Sequence, residues 1–268
     1  MAATTIRNIM PVTGMSNSRP RPFVVLLRGL LLASGLASVL WSLMVLPSFR
    51  GLLPARDIAA RIISDDRLKA QALAEILALI EPAAAAALSP PELFRASALA
   101  RVRLAEVAMA RKSSDEADAE IAAAEQKLVE ALSVNPTDSF LWLMLYSVET
   151  SRSGFDPKTV AHLERSYLAG PNEGWIAVRR NRVALGVFPL LSELAQARVV
   201  DEFAEMVDAD FWNDTEANLT GIGWAHRDRL LAGLQRVDLV SREAFARMLF
   251  RDGYDIQVPG VKQKERPW

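Results

Sequence analysis

Few residues in this chain have the types and spacing that chemistry needs. It holds two histidines, His162 and His226, and no cysteine. The histidines lie 64 residues apart, and neither has a partner at the His-Glu-x-x-His spacing of a zinc-binding helix. Each therefore reads as a packed or exposed side chain, and the sequence predicts no metal site and no cofactor. Without cysteine, disulfides and thiolate catalysis are excluded. Asp208, Asp210 and Asp214 are carboxylates that acid–base work could use, as in a hydrolase acting on envelope polysaccharide. Without a nucleotide-binding strand–helix unit around them, they read as a helix-end acid cluster. Gly221-Ile222-Gly223 follows no strand and no Gly-Lys-Ser/Thr follows it, so it is no phosphate loop. No Gly-x-Ser-x-Gly nucleophile elbow occurs. The residues predict a protein that binds rather than catalyses.

Apolar residues make up 51% of the 268, ample for a core, and the net charge of −1 gives no global field for nucleic acid. The charge is unevenly placed. Residues 1–56 hold six arginines and no acid, leaving 25 basic against 32 acidic residues over 57–268. The two parts are expected to face different surroundings.

Gly29 to Phe49 is a run of 21 uncharged, mostly apolar residues. A helix of that length rises about 30 Å, the thickness of a bilayer's hydrocarbon core. Phe23 to Leu27 extend the run across Arg28, which is near enough to its end to snorkel. A buried core helix would show a polar stripe or neighbouring helices, and a cleaved signal would carry a small-x-small site. VLPSFRGLLPAR offers no such site. A transmembrane helix over 23–49 is expected, after a disordered segment over 1–22. Arg7, Arg19, Arg21 and Arg28 precede the span, whereas Arg50 and Arg56 follow it. That bias predicts a single-pass inner-membrane protein with its N-terminus cytoplasmic and its soluble part periplasmic. Gly29, Ala33 and Ala37 make a small-residue stripe that would admit a homo-oligomer through this helix.

Beyond the span, apolar residues recur at helical spacing and no alternating β-branched run occurs. Residues 50–90 read as a linker and leading helices, with Asp65-Asp66 marking a break or a cap, so that one helix or two fit the stretch, and Ser89 a helix cap. Asn135-Pro136, Asp156-Pro157 and Gly170-Pro171 punctuate the next stretch as helix stops and starts. One helix is expected through Leu219, Ile222, Leu230 and Leu234. Residues 211–252 are expected to cap the domain and 253–268 to be a flexible tail.

Ala124, Leu128, Ala131 and Pro136 are spaced 4, 3 and 5 apart, and Leu163, Ser166 and Pro171 lie 35 residues after the last three. That offset is close to the period of stacked helix pairs. Together with Trp142 and Leu145, the pattern resembles a degenerate tetratricopeptide-type repeat. Leu128 stands at the usual aromatic place, Ser166 at an alanine place and Tyr146 where glycine is common. The resemblance implies an all-α fold over 91–210: antiparallel helix pairs stacked as a short superhelix, preceded by the one transmembrane helix. It implies a scaffold or adaptor holding another envelope or inner-membrane protein, with surface polysaccharide assembly or secretion as a natural setting. The partner-binding side chains expected to face the groove are Arg101, Arg103, Trp142, Tyr146, Arg179 and Arg182. Arg179, Arg180 and Arg182 must fan over more than one helix face, so only part of that cluster can line it.

Overall fold

In the computed structural model, residues 22–49, 51–66, 68–86, 89–111, 114–154, 156–171 and 173–262 are described. The expectation for residues 1–21, and that for 263–268, lies outside them. The described residues form twelve α-helices and three short 3-10 turns, with no strand. The chain divides into two units at Pro47 and Ser48.

The first unit is α1 (Pro22–Phe49). It begins one residue earlier than the sequence suggested, because proline is tolerated in the first helical turn. The 25 residues Pro22–Leu46 are long and apolar enough to cross a membrane, and none of the hydrophobic window is buried. That argues against a core helix. Ser38 Oγ donates to the Ser34 carbonyl at 2.9 Å, so this hydroxyl is satisfied within the helix.

The second unit begins with α2 (Leu52–Ile63) and α3 (Ala70–Ala84). The break between them is a Schellman turn. Asp66 N–H donates to Arg61 O and Asp65 N–H to Ile62 O. Asp65 takes the left-handed position, φ 57°, where glycine is usual. α4 (Pro91–Ala110) is the centre of the unit, packing on α2, α3 and α5 (Ser114–Val134). Its alanines 96, 98, 100, 105 and 108 are at most 5% exposed, and small side chains are what let neighbours close in on several faces. Ser89 does not cap α4. Its hydroxyl lies 2.7 Å from the carbonyls of both Ala83 and Ala86, closing the end of α3, while Pro90 holds the α4 cap position.

α6 (Ser139–Ser153) opens on Asp138, which accepts the N–H groups of Phe140 and Leu141 and pairs with Arg95. α7 (Pro157–Ala169) opens on Asp156 in the same way. α8 (Gly174–Gly186) and α9 (Glu193–Asp208) follow. The closest packing between consecutive helices is α4 on α5, α6 on α7, α3 on α4 and α5 on α6, followed by α8 on α9. Alternate helices also touch: α4 with α6, α6 with α8, and α7 with α9.

Where one helix was expected through Leu219 and Leu234, the chain makes α10 (Trp212–Thr220) and α11 (Arg227–Gly233). Gly221 and Gly223 sit at the break, each so close to backbone that a Cβ would meet a carbonyl oxygen at 2.7 Å. Ile222 is consequently 47% exposed rather than in the core. α12 (Leu239–Arg251) and α10, α11 all pack on α9. Residues 253–262, expected within a flexible tail, lie against this end of the molecule. Val258 is 1% exposed, and Arg242 Nη1 donates to the Pro259 carbonyl at 2.7 Å. Ile256, Val258 and Val261 supply the apolar contacts that a polar reading of the tail passes over.

Candidate functional site

α4, α6 and α8 lie side by side, and the C-terminal turn of α2 sits across them. Between these four elements is a cavity of about 150 Å³. Its apolar lining is Ile62, Leu99, Val102, Phe140 and Met144. Its polar lining is Arg103 and Arg179, with Asp65 and Glu106. The Arg179 guanidinium donates to the Ile63 carbonyl at 2.8 Å and to the Asp65 carboxylate. Arg103 pairs with Glu106 and reaches the other Asp65 oxygen at 3.5 Å. One acid thus bridges two cations from helices 76 residues apart in the chain. Behind Arg179, the Phe140 ring centroid lies 6.0 Å away and 4.9 Å from that of Trp175.

Of the six side chains expected to share a partner site, Arg103 and Arg179 are brought together here. The other four are elsewhere. Arg101, two residues from Arg103, points to the opposite side of α4. It holds Glu81 with two hydrogen bonds of 2.8 and 3.0 Å and approaches Glu120 at 3.8 Å. There it borders a second cavity, of about 510 Å³, between α3, α4 and α5. Trp142 turns toward α7, stacking on His162 at 5.6 Å and donating to the Pro136 carbonyl. Tyr146 is 2% exposed and belongs to the core, where burial raises its phenol pKa. Arg182 faces solvent.

Arg180, between the groove and the solvent-facing arginine, goes into the core. It is 0% exposed, and all five of its N–H groups have acceptors. Nε and Nη2 bond Glu202 of α9, and Nη2 also reaches the Pro171 carbonyl at 3.3 Å. Nη1 bonds Ser139 Oγ at 2.9 Å, and the Ser166 carbonyl at 2.8 Å. The guanidinium carbon lies 4.1 Å from the Tyr167 ring centroid, and the Tyr167 hydroxyl donates to the second Glu202 oxygen at 2.6 Å. Asn181 and Asn218 extend the network to α10. The Ser166 hydroxyl, which an alanine would lack, lies 3.2 Å from both Arg180 Nη1 and Ser139 Oγ. These bonds join the α6/α7 pair to the α8/α9 pair.

Glu202 is 3% exposed, so no substrate reaches it. Burial raises its pKa above the ordinary 4.5, the Arg180 charge and hydrogen bonds opposing this in part. The buried Tyr167 phenol is pushed well above 10 by desolvation and then by the Glu202 charge. A carboxyl whose folded-state pKa is raised keeps its proton where the unfolded chain has lost it. Its stability contribution is therefore present below 4.5 and lost as pH rises through the folded-state value. Measured against Glu202→Gln by urea unfolding from pH 7.5 downward, the wild type gains relative stability as acid is added, then levels off below about pH 4.5. A relative loss on acidification would put the Glu202 pKa below the ordinary value.

Asp208 and Asp210 are exposed, Asp214 is half-buried, and neither cavity includes any of the three. His162 pairs with Glu149 at 3.1 Å and His226 packs on Phe188, with ring centroids 4.5 Å apart. Among the described residues no cluster of three or more histidines and acids is placed to hold a metal.

Sequence reasoning missed Arg180, Glu202 and Asp65. The first two carried a signal. Ile176, Ala177, Arg180, Asn181 and Ala184 fall on one stripe of α8, as Val199, Glu202, Phe203 and Met206 do on α9. A charge inside each apolar stripe marks a buried partner. Compared with known proteins, the chain matches no family model, no curated protein and no solved structure.

Proposed function

We propose that this chain is a membrane-anchored, tetratricopeptide-like adaptor that holds an acidic segment of another envelope protein. The observation that carries the reading is the groove across α4, α6 and α8, where an apolar floor meets Arg103 and Arg179. Contact between alternate helices, with α5, α7 and α9 paired behind them, is the packing expected of stacked helix pairs. Guanidinium groups over an apolar floor suit a carboxylate next to a hydrophobic side chain. The exposed apolar surface of α1 supports anchoring in a bilayer, and the arginine bias before it supports a cytoplasmic N-terminus and a periplasmic domain. Surface polysaccharide assembly or secretion remains the proposed setting.

The test is site-specific crosslinking from Met144 in intact cells, with wild type beside Arg103→Glu/Arg179→Glu. One envelope partner is expected with the wild type, and its recovery should fall at least about tenfold in the variant, the loss given by about 1.4 kcal/mol of binding energy. Membrane retention should be unchanged, and the variant should still unfold in one cooperative thermal transition, at a lower temperature because four acids then meet at the cavity. Equal recovery from both proteins would refute the groove as the site. A second reading, self-assembly through α1, is supported by the stripe of Gly29, Ala33 and Ala37, whose small side chains allow two such helices to approach closely. In that case the crosslinked species is the chain itself.

A further inference from the structure

We infer that Asp65 is an internal stand-in for the acidic segment of the partner, which competes with it for Arg103 and Arg179. The inference rests on the groove being the partner site. Its own observation is the chemistry of the α2–α3 turn.

The Schellman position that Asp65 occupies, φ 57°, is most often held by glycine or asparagine, although aspartate also tolerates it. An aspartate there adds nothing to the turn's backbone hydrogen bonds. What it adds is a carboxylate, placed between two guanidiniums from other helices. The neighbouring atoms complete an imitation of a bound peptide. Ile62 presents an apolar side chain to the cavity, and the Ile63 carbonyl accepts from Arg179. This carbonyl belongs to the last turn of α2, the negative end of a helix dipole, and so adds to the attraction for a cation.

The contact is built to exchange. The Asp65 side chain is 65% exposed, against 22% for Arg103 and 30% for Arg179. Exposed ion pairs of this kind are weak, because water and salt screen them. If Asp65 swings away, two cations face one remaining acid, Glu106, and an incoming carboxylate restores the balance. The apolar residue beside that carboxylate would enter the adjoining cavity. A basic partner segment has no such place.

The probe is the pentapeptide Ile-Ile-Ser-Asp-Asp, which copies residues 62–66, titrated by calorimetry into the full chain in detergent micelles. Ile-Ile-Ser-Asn-Asn is its neutral control. Asp65→Asn keeps a residue that tolerates positive φ and removes the charge. It is expected to bind the acidic peptide about two- to fivefold more tightly than the wild type, the gain available from releasing one exposed ion pair. Asp65→Gly should do the same while fitting the turn better, which guards against a folding artefact. Arg103→Met/Arg179→Met should weaken binding at least about tenfold, the loss of charge-assisted bonds to one carboxylate. An unchanged or lower affinity in both Asp65 variants would overturn the inference, as would equal binding of the neutral peptide. If the Asp65 variants have no effect while Arg103→Glu/Arg179→Glu still abolishes crosslinking, the adaptor reading stands and the stand-in falls. If the peptide responds as expected but crosslinking does not, the carboxylate site stands and the adaptor reading falls.

Discussion

Arg180→Met is expected to lower the unfolding free energy by about 3–5 kcal/mol, a third or more of a typical domain's stability. Methionine is long and apolar, so the packing volume largely survives and the loss reports the electrostatics. Glu202 would keep only the Tyr167 hydroxyl and Asn181 as donors, and at 3% exposure it cannot turn to water. The Ser139 and Ser166 hydroxyls keep each other as partners. The penalty is thus that of an orphaned buried charge rather than of five lost bonds. The control is Arg180→Met combined with Glu202→Leu and Tyr167→Phe. With both charges and the stranded phenol gone, most of the loss should return, because a buried ion pair is often no better than apolar residues of its size. Urea unfolding of the full chain followed by circular dichroism reads both. A single variant that loses under about 1 kcal/mol would mean that water reaches the pair in solution.

The expected contrast between single and triple variants bears on why the network is there. α7 and α8 pack sparsely on each other, yet Arg180 reaches back over the intervening turn to Ser139, Ser166 and Pro171. Apolar residues alone would tolerate a rotation between the two helix pairs. Five N–H groups in a fixed plane, all with acceptors, do not. That geometry sets the angle at which α8 leaves α6, and so places Arg179 at the groove. Two adjacent arginines on one helix thus divide the work: one fixes the joint and the other, about 100° round the helix, faces the groove.

How much of this could be read from the chain depends on the range of the interaction involved. Helix ends were legible where a local signal fixes them. Asp156 and the Pro residues after Asn135, Asp156 and Gly170 act within a few positions of themselves. Asp65-Asp66 stood out locally as a break or a cap alike, and only the turn's backbone hydrogen bonds make it a break. The kink at Gly221–Gly223 was misread because an apolar period ran straight through it, and the period carries no record of how closely a backbone approaches. The docking of 253–262 was missed because three apolar residues in a polar setting matter only when a matching surface exists. The site was legible in part. Arg103 and Arg179 were found as basic positions on the helices expected to line a groove. Tyr146, expected to face the groove, lies on the buried face of α6, a place set by what packs there rather than by the residue itself. Nothing local to α2 could say that its end lies across that groove, since the contacts of Asp65 run to residues 38 and 114 positions away.

Replacing Leu32 and Leu36 together by arginine should release the chain from the membrane. Each arginine near the middle of the span costs about 2.5–3.5 kcal/mol on insertion scales, and each lost leucine about 0.3–0.6 more. The pair therefore removes about 6–8 kcal/mol. The remaining Leu, Val and Phe residues of α1 contribute about 4–8 kcal/mol at centre-of-helix values, and less toward its ends. Set against the two arginines' own cost of about 5–7 kcal/mol, that leaves the span near balance, and unfavourable once the residues toward its ends are discounted. Alkaline carbonate extraction should then find the variant in the supernatant or degraded, where the wild type stays in the pellet. Position decides whether lipid is the cause. Arginines in place of Leu27 and Leu46 have the same charge but lie near the ends of the span, where long side chains snorkel to the headgroups, so that variant should stay in the pellet. If central and terminal arginines behave alike, α1 is not held by hydrocarbon. Its fully exposed apolar surface would then need a protein partner along its whole length, and the groove would not be the first place to look for one.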